Sequence, residues 1–442
     1  MSWSRRSQWA SLLALAVLAQ VGAAQAVQAA HGDSATTSYV VHGVRVIQRH
    51  TNTSIVVANL YLLGGVRQLT PATAGIESFL LDATERGTAR YPKNSLRRAM
   101  ARTGSEIVIA PRTDWTLVGL RTTAGELDST WAIFADRLMR PTLDSSEVEL
   151  LRSQVVAGVK QRADSPDATL EYLADSTTFA GHAYALSPAG NERSLAKISV
   201  AQLRAYHRTQ FVTSRMLLVV VGDVPQSKIT ALVTATIGTL PSGSYSWVMP
   251  DTVGTRPTDV AMERRPLPTN YIQGEFIGPL ANSPDAPALR VASAVLSGRL
   301  FSEIRSKRNL TYAVSATYRD RGVTSAGLYV TTTAPDTTIA LMRSEIRTLQ
   351  QIEIETEFLR PLVQQFITEY FLDNETITAQ ADFLARAQLF RGDYRAGQRF
   401  VAELRAVTGA DVQRVLRKYF TNIQWAYVGD PSRVRRERLL AF

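Results

Sequence analysis

The stretch Ala74-Gly-Ile-Glu-Ser-Phe-Leu-Leu-Asp-Ala-Thr-Glu-Arg-Gly-Thr88 decides how the rest of the chain is read. Ile76, Phe79, Leu80 and Ala83 recur at helical spacing, which predicts an amphipathic helix with one apolar face buried. Gly87 follows as its C-terminal cap. Positions 78, 81, 82 and 85 share a helix face, and Glu77, Asp82 and Glu85 supply three carboxylates along it. Carboxylates on one helix rarely close a cation site without a distant ligand, so a solvated acidic face is expected.

The frame of Gly75, Phe79, Leu80, Gly87 and Thr88 resembles the motif helix of the insulinase/pitrilysin metallopeptidases, the inverzincins. Active members read G-x-x-H-F-L-E-H-x-x-x-x-G-T. There two His four apart hold zinc, and the Glu between them is the general base for the attacking water. In this chain the His positions hold Ser78 and Asp82, and the Glu position holds Leu81. The resemblance places a third ligand, a Glu, six residues before a D-x-P segment. Asp164-Ser165-Pro166 is that segment here, so the ligand position falls on Gly158. Ser and Gly offer zinc little, and Leu cannot abstract a proton. The expectation is a chain with no metal or other cofactor of its own, inactive as a peptidase by itself.

At 442 residues the chain is too long for one ordinary core, and two domains or more are expected. Apolar residues make up 45% and charged residues 20%, as in a globular protein. Residues 1–30 read as a secretory signal: Arg5 and Arg6, an apolar run from Ala10 to Val21, and an A-x-A site at Ala24-Gln25-Ala26. The run is too short for a confident membrane span, and no later stretch is apolar enough for one. With no cysteine the exported fold owes nothing to disulfides. The periplasm is the expected compartment, with full secretion as the alternative. The net charge of +10 is scattered, without the aromatic-interleaved patch or known module a nucleic-acid binder needs, so nucleic acid is not expected as a partner.

Along the chain, Ser38 to Arg49 and Ser54 to Gly64 alternate apolar and polar residues around Thr51-Asn52-Thr53, predicting a hairpin or two adjacent strands. Residues 241–268, rich in Pro, Gly, Ser and Thr, read as a linker between domains at 34–240 and 269–442. The halves close alike. Val219-Val-Val-Gly-Asp223 matches Trp425-Ala-Tyr-Val-Gly-Asp430, each behind a helix ending in an aromatic residue, 207 residues apart. A duplication of two α+β domains, each an antiparallel-rich sheet flanked by helices, explains this. The resemblance implies the same architecture, as one half of a clam-like peptidase chamber.

In the second half, Arg299-Leu-Phe-Ser-Glu-Ile-Arg305-Ser-Lys-Arg-Asn-Leu-Thr-Tyr312 resembles the family's second signature. There an Arg ending a helix and a Tyr seven residues on reach across to the zinc site and hydrogen-bond the substrate carbonyl as it becomes an oxyanion. A guanidinium that keeps its charge and a neutral phenol donor both suit developing negative charge. By residue type alone, Arg305 could equally complement its helix dipole and Tyr312 could be an ordinary strand residue. His182 in His182-Ala183-Tyr184 resembles a loop His of the family and is read as structural. His31, His42, His50 and His207 stand singly and suggest no metal site.

Two functions follow. One is a non-catalytic subunit of a periplasmic zinc metalloendopeptidase, partnering a homologous chain with an intact H-x-x-E-H. Zinc would lie in that partner, and the pair would enclose peptides or unfolded proteins. The other is a catalytically dead peptide-binding or scaffold protein of the same fold.

Overall fold

The computed structural model describes residues 35–442, and the export signal read over residues 1–30 lies outside them. Two mixed sheets carry the architecture. The first contains β1 (Thr36–Val41), β2 (Val44–His50), β3 (Ile55–Leu63), β4 (Glu106–Pro111), β5 (Trp115–Thr123) and β6 (Met216–Gly222), in the order β1-β2-β6-β3-β5-β4. The second contains β7 (Asp259–Arg264), β8 (Asn270–Leu280), β9 (Val314–Arg319), β10 (Val323–Thr332) and β11 (Gln424–Gly429), in the order β7-β11-β8-β10-β9.

The duplication is visible in the pairing. β6 runs parallel to β2 and antiparallel to β3. β11 runs parallel to β7 and antiparallel to β8. Gly222 and Gly429 end these matching strands at the same φ of 153°. A Cβ at Gly222 would sit 2.9 Å from the Ile55 carbonyl oxygen, and one at Gly429 2.4 Å from Asn270 Oδ1. Both the backbone angle and the crowding therefore require glycine at this corner.

Each half also lends a helix to the other. The helix Pro166–Thr178 packs Leu170 and Ala174 against Ala426 and Val428 of the second sheet. The helix Ile377–Arg391 packs Leu384, Ala385 and Phe390 against Val57, Leu217 and Val219 of the first. The opposite face of the first sheet is covered by its own helices, with Phe79, Trp131 and Phe134 packed around Leu218 and Val220. β6 is thus buried at every position, which is why Met-Leu-Leu-Val-Val-Val reads as an unbroken apolar run. The Asp164-Ser165-Pro166 segment is a joint between two helices. Ser165 ends Ser145–Asp164 in extended geometry, accepts the Ala168 N–H, and is followed by Pro at the first helical position.

Two expectations are corrected. Ser38–Arg49 and Ser54–Gly64 do not form a hairpin around Thr51–Thr53. The hairpin lies within the first run, where β1 turns into β2 at His42 and Gly43, both with positive φ. β6 then inserts between β2 and β3, so those strands are not neighbours. The 241–268 segment is also more than a linker, since β7 forms inside it and pairs with β11. Its earlier part is held too, with the Trp247 indole donating to the Leu389 carbonyl at 2.7 Å. Among the described residues no helix is long and apolar enough to cross a membrane.

Candidate functional site

The motif helix spans Ile76–Ala83 behind Gly75, whose left-handed φ of 85° begins it, and runs on through a 3-10 turn to Gly87. Ser78 is almost fully buried and Leu81 is buried in the first core. Asp82 is partly buried, and Gly158 lies on the facing helix Ser145–Asp164. Of the four positions that the resemblance assigns to ligands and base, Asp82 alone carries a strong donor. Zinc does not fit this set. Among the described residues no group of three His, Cys, Asp or Glu could hold a metal ion. Crowding is not the cause at Gly158, where an added Cβ meets nothing within 4 Å.

Positive charge surrounds Asp82. Burial first, and then the Glu85 carboxylate, push its carboxyl up to about 6 from an ordinary 3.8, against the pull of Arg137, Arg162 and Arg86. Arg137 is itself buried, donating to Thr84 Oγ1 and to Glu85 Oε1, each at 3.0 Å. The raised value means that folded protein takes up the Asp82 proton before unfolded chain does. Its contribution to stability is therefore present below about pH 4 and is lost as pH rises to about 6. Asp82→Asn is expected to raise thermal stability at pH 7.5, by up to about 3 kcal/mol, with the gain vanishing near pH 4. Equal melting temperatures for the two proteins at pH 7.5 would count against this.

The solvated acidic face expected along the helix is corrected at Glu77. Glu77 is 3% exposed and pairs with the buried Arg215 at 3.0 Å, while the Tyr206 hydroxyl donates to the same carboxylate oxygen at 2.9 Å. Arg215 also donates to the Leu63 carbonyl at 2.8 Å and the Gln210 carbonyl at 3.1 Å. The motif helix is thereby tied to the end of β3 and the approach to β6. The charge that makes Glu77 buriable is 138 residues away in sequence.

Arg305 and Tyr312 flank one turn in the second half. The helix Asp285–Leu300 continues as a π-turn, Phe301–Ser306, so Arg305 lies in a wider coil than the α-helical end expected. The Asn309 N–H donates to the Arg305 carbonyl at 2.9 Å and the Leu310 N–H to the Ile304 carbonyl at 3.0 Å, with Asn309 left-handed at φ 52°. β9 begins at Val314, two residues after Tyr312. Thr311 is buried, its hydroxyl donating to the Ala313 carbonyl at 2.8 Å, while Tyr312 stands 84% exposed. Lys307 and Arg308 are both drawn to Glu303. The Arg305 guanidinium instead lies over the Phe301 ring, 5.1 Å from its centre, with no ion pair or hydrogen bond among the described residues. The turn is fixed, and its two polar ends point outward. Among the described residues no hydrogen bond, ion pair or ring contact joins either side chain to Ser78, Leu81, Asp82 or Gly158.

Sequence reasoning missed the cleft between the halves, about 700 Å³, bordered by the β4–β5 turn, Ser145–Asp164, Pro166–Thr178 and residues 319–321. Its floor joins the two halves. Asp114 is buried, takes the Tyr184 hydroxyl, and accepts the Gly322 N–H at 2.9 Å. Burial and this carboxylate hold the Tyr184 phenol well above its ordinary range. His182 accepts the Tyr184 N–H on Nδ1 at 3.2 Å. These partners come from segments up to 208 residues apart, and no local pattern announces them.

Comparison with known proteins adds the following. Residues 45–192 match the family model described as insulinase (peptidase family M16), and residues 197–362 match the peptidase M16 inactive domain. The mitochondrial cytochrome b-c1 complex subunit 1 of Caenorhabditis elegans is 24% identical over 422 residues, covering 90% of this chain and 88% of that one. A protein of Mycobacterium bovis named as an uncharacterized zinc protease is 22% identical over 388 residues, covering 84% and 87%. The peptidase M16 inactive domain from Pseudomonas fluorescens superposes with a TM-score of 0.81 at 16% identity, over 89% of this chain and 98% of that one. The periplasmic protease PqqL from Escherichia coli superposes at 0.74 and 15% identity, over 89% of this chain and 46% of that one. At such identities the solved structures speak for the fold.

Proposed function

The chain belongs to the insulinase family of M16 peptidases, and we propose that it is the non-catalytic subunit of an exported, periplasmic zinc metalloendopeptidase. The observation that carries this reading is an asymmetry. The motif helix keeps its frame but holds Ser78, Leu81 and Asp82 where ligands and base belong, whereas Arg305 and Tyr312 stand outward on a fixed turn. A partner chain with an intact H-x-x-E-H would hold the zinc and supply the nucleophile. This chain would supply two donors to the scissile carbonyl as negative charge builds on its oxygen. To meet a docked partner, Arg305 gives up, among the described residues, only its contact with the Phe301 ring, and each side chain loses about 0.5 to 1.5 kcal/mol of rotamer freedom. Peptides would bind extended, added to the edge of a sheet.

The test is co-expression with a homologous H-x-x-E-H chain from the same source, followed by gel filtration and assay of a quenched fluorescent peptide. A stable heterodimer that hydrolyses the peptide, with this chain inactive alone, is the expected result. Failure of every such chain to associate would overturn the reading.

A second reading rests on the likeness to cytochrome b-c1 complex subunit 1, a subunit of a larger assembly. In it this chain is a scaffold or a peptide holder without a catalytic role, and Arg305 and Tyr312 are unused. The two readings part on whether Arg305 affects turnover.

A further inference from the structure

The cleft between the halves carries a charge imbalance that its composition hides. Its walls hold six arginines and five carboxylates, close to neutral by count. Every carboxylate is already engaged. Asp114 is held by Tyr184 and the Gly322 N–H. Glu171 and Asp175 accept from Arg319 and Arg321, at 2.8 and 2.9 Å. Glu263 pairs with Arg265, and Asp320 with Arg290 at 2.7 Å and with Arg386. Four of the arginines are occupied in the same contacts. Arg112 and Arg162 are not: among the described residues neither guanidinium has an ion pair, a hydrogen bond or a ring beneath it. The lining therefore keeps a net positive charge, and Arg112 and Arg162 are the two of its guanidiniums that no described residue engages by ion pair or hydrogen bond.

Their positions give that charge a direction. β4 is the outer strand of its sheet, so one side of its backbone is open to a further strand. It ends at Pro111, and Arg112 is the next residue. An extended segment laid along β4 would leave it beside Arg112. Arg162 stands four residues beyond Gly158 on the same helix, hence on the same face, and its charge reaches Asp82. Two planar guanidiniums lining one cleft favour carboxylates, which accept their paired N–H donors.

We infer that this cleft binds carboxylates of the peptide that runs along β4, with Arg112 and Arg162 as the recognising pair, so that the chain selects acidic peptides. The inference rests on the reading of this chain as a subunit that encloses peptides, and it names the class of peptide. Those carboxylates are acidic side chains or a peptide C-terminus.

The test is fluorescence anisotropy with the purified full chain and labelled ten-residue peptides. One carries three Asp or Glu, the second carries Asn or Gln at those places, and each is made with a free and an amidated C-terminus. The acidic peptide is expected to bind about tenfold more tightly than its neutral counterpart at low ionic strength, with the gap closing as salt is added. Tighter binding of the acidic than of the neutral peptide, with either terminus, assigns the contact to side chains, and tighter binding of the free-ended than of the amidated form of the same peptide assigns it to the C-terminus. Arg112→Gln with Arg162→Gln should make the acidic and neutral peptides equal. Both residues are exposed, and on Asp82 Arg162 acts behind Arg137, so the melting temperature should fall only slightly and equally whichever peptide is present, which separates lost recognition from lost folding. Equal binding of all four peptides by the parent, a preference untouched by the double variant, or no binding of any peptide overturns the inference. Turnover by the reconstituted pair is read separately through Arg305. Arg305-dependent turnover without a charge preference removes only this inference. A charge preference with Arg305-independent turnover removes only the subunit reading.

Discussion

Arg305→Ala is expected to lower kcat of the reconstituted peptidase by about two to three orders of magnitude, the usual size of one lost oxyanion donor. An interaction made only in the transition state lowers kcat and kcat/KM together and leaves KM nearly unchanged. The fold should be indifferent. Arg305 is exposed, holds no ion pair among the described residues, and touches its own chain mainly through the Phe301 ring. Its removal should change unfolding free energy by no more than about 0.5 kcal/mol. Arg305→Lys keeps the charge but loses the planar fork, and should recover only part of the rate. Tyr312→Phe removes one hydroxyl from a ring already 84% exposed, so it too should act on turnover and not on folding. Unchanged turnover by the Arg305→Ala pair would favour the scaffold reading.

The second large effect lies in the first half and concerns folding. Arg215→Ala is expected to destabilise the protein by about 3 to 5 kcal/mol, because it leaves the Glu77 carboxylate buried without its partner. The loss is compounded, since Arg215 also satisfies the Leu63 and Gln210 carbonyls and Glu77 already has one carboxylate oxygen unpartnered. Urea unfolding followed by circular dichroism measures this directly. A cost below about 1 kcal/mol would mean that water reaches Glu77 and relieves the charge. Replacing the pair together by apolar residues should cost much less than Arg215→Ala, since neither charge is then stranded.

Much of the fold was legible because the repeat is written in its most constrained strands. Val219-Val-Val-Gly222 and Trp425-Ala-Tyr-Val-Gly429 are buried at every position and end on a glycine corner, so burial and backbone angle fix the residue types. Strand order was not legible. Nothing local to Val44–His50 or Ile55–Leu63 reports that β6, from residue 216, will separate them. β7 was hidden because a short edge strand needs little more than Val260 buried, and its neighbours are loop-formers. At the site, the places of Ser78, Leu81 and Asp82 on the motif helix and of Gly158 on the facing helix could be read because a motif fixes them. The pairing of Glu77 with Arg215 could not, nor could the solitude of Arg112 and Arg162. Whether a charge is matched depends on side chains brought together from distant parts of the chain.

The central claim is a division of labour between two chains. It is tested most directly by the hydrolysis rate of a quenched peptide with zinc present, for the purified chain alone and after addition of its H-x-x-E-H partner. The account predicts no hydrolysis by this chain alone, hydrolysis by the pair, and loss of most of that rate with Arg305→Ala. Hydrolysis by this chain without a partner would contradict it.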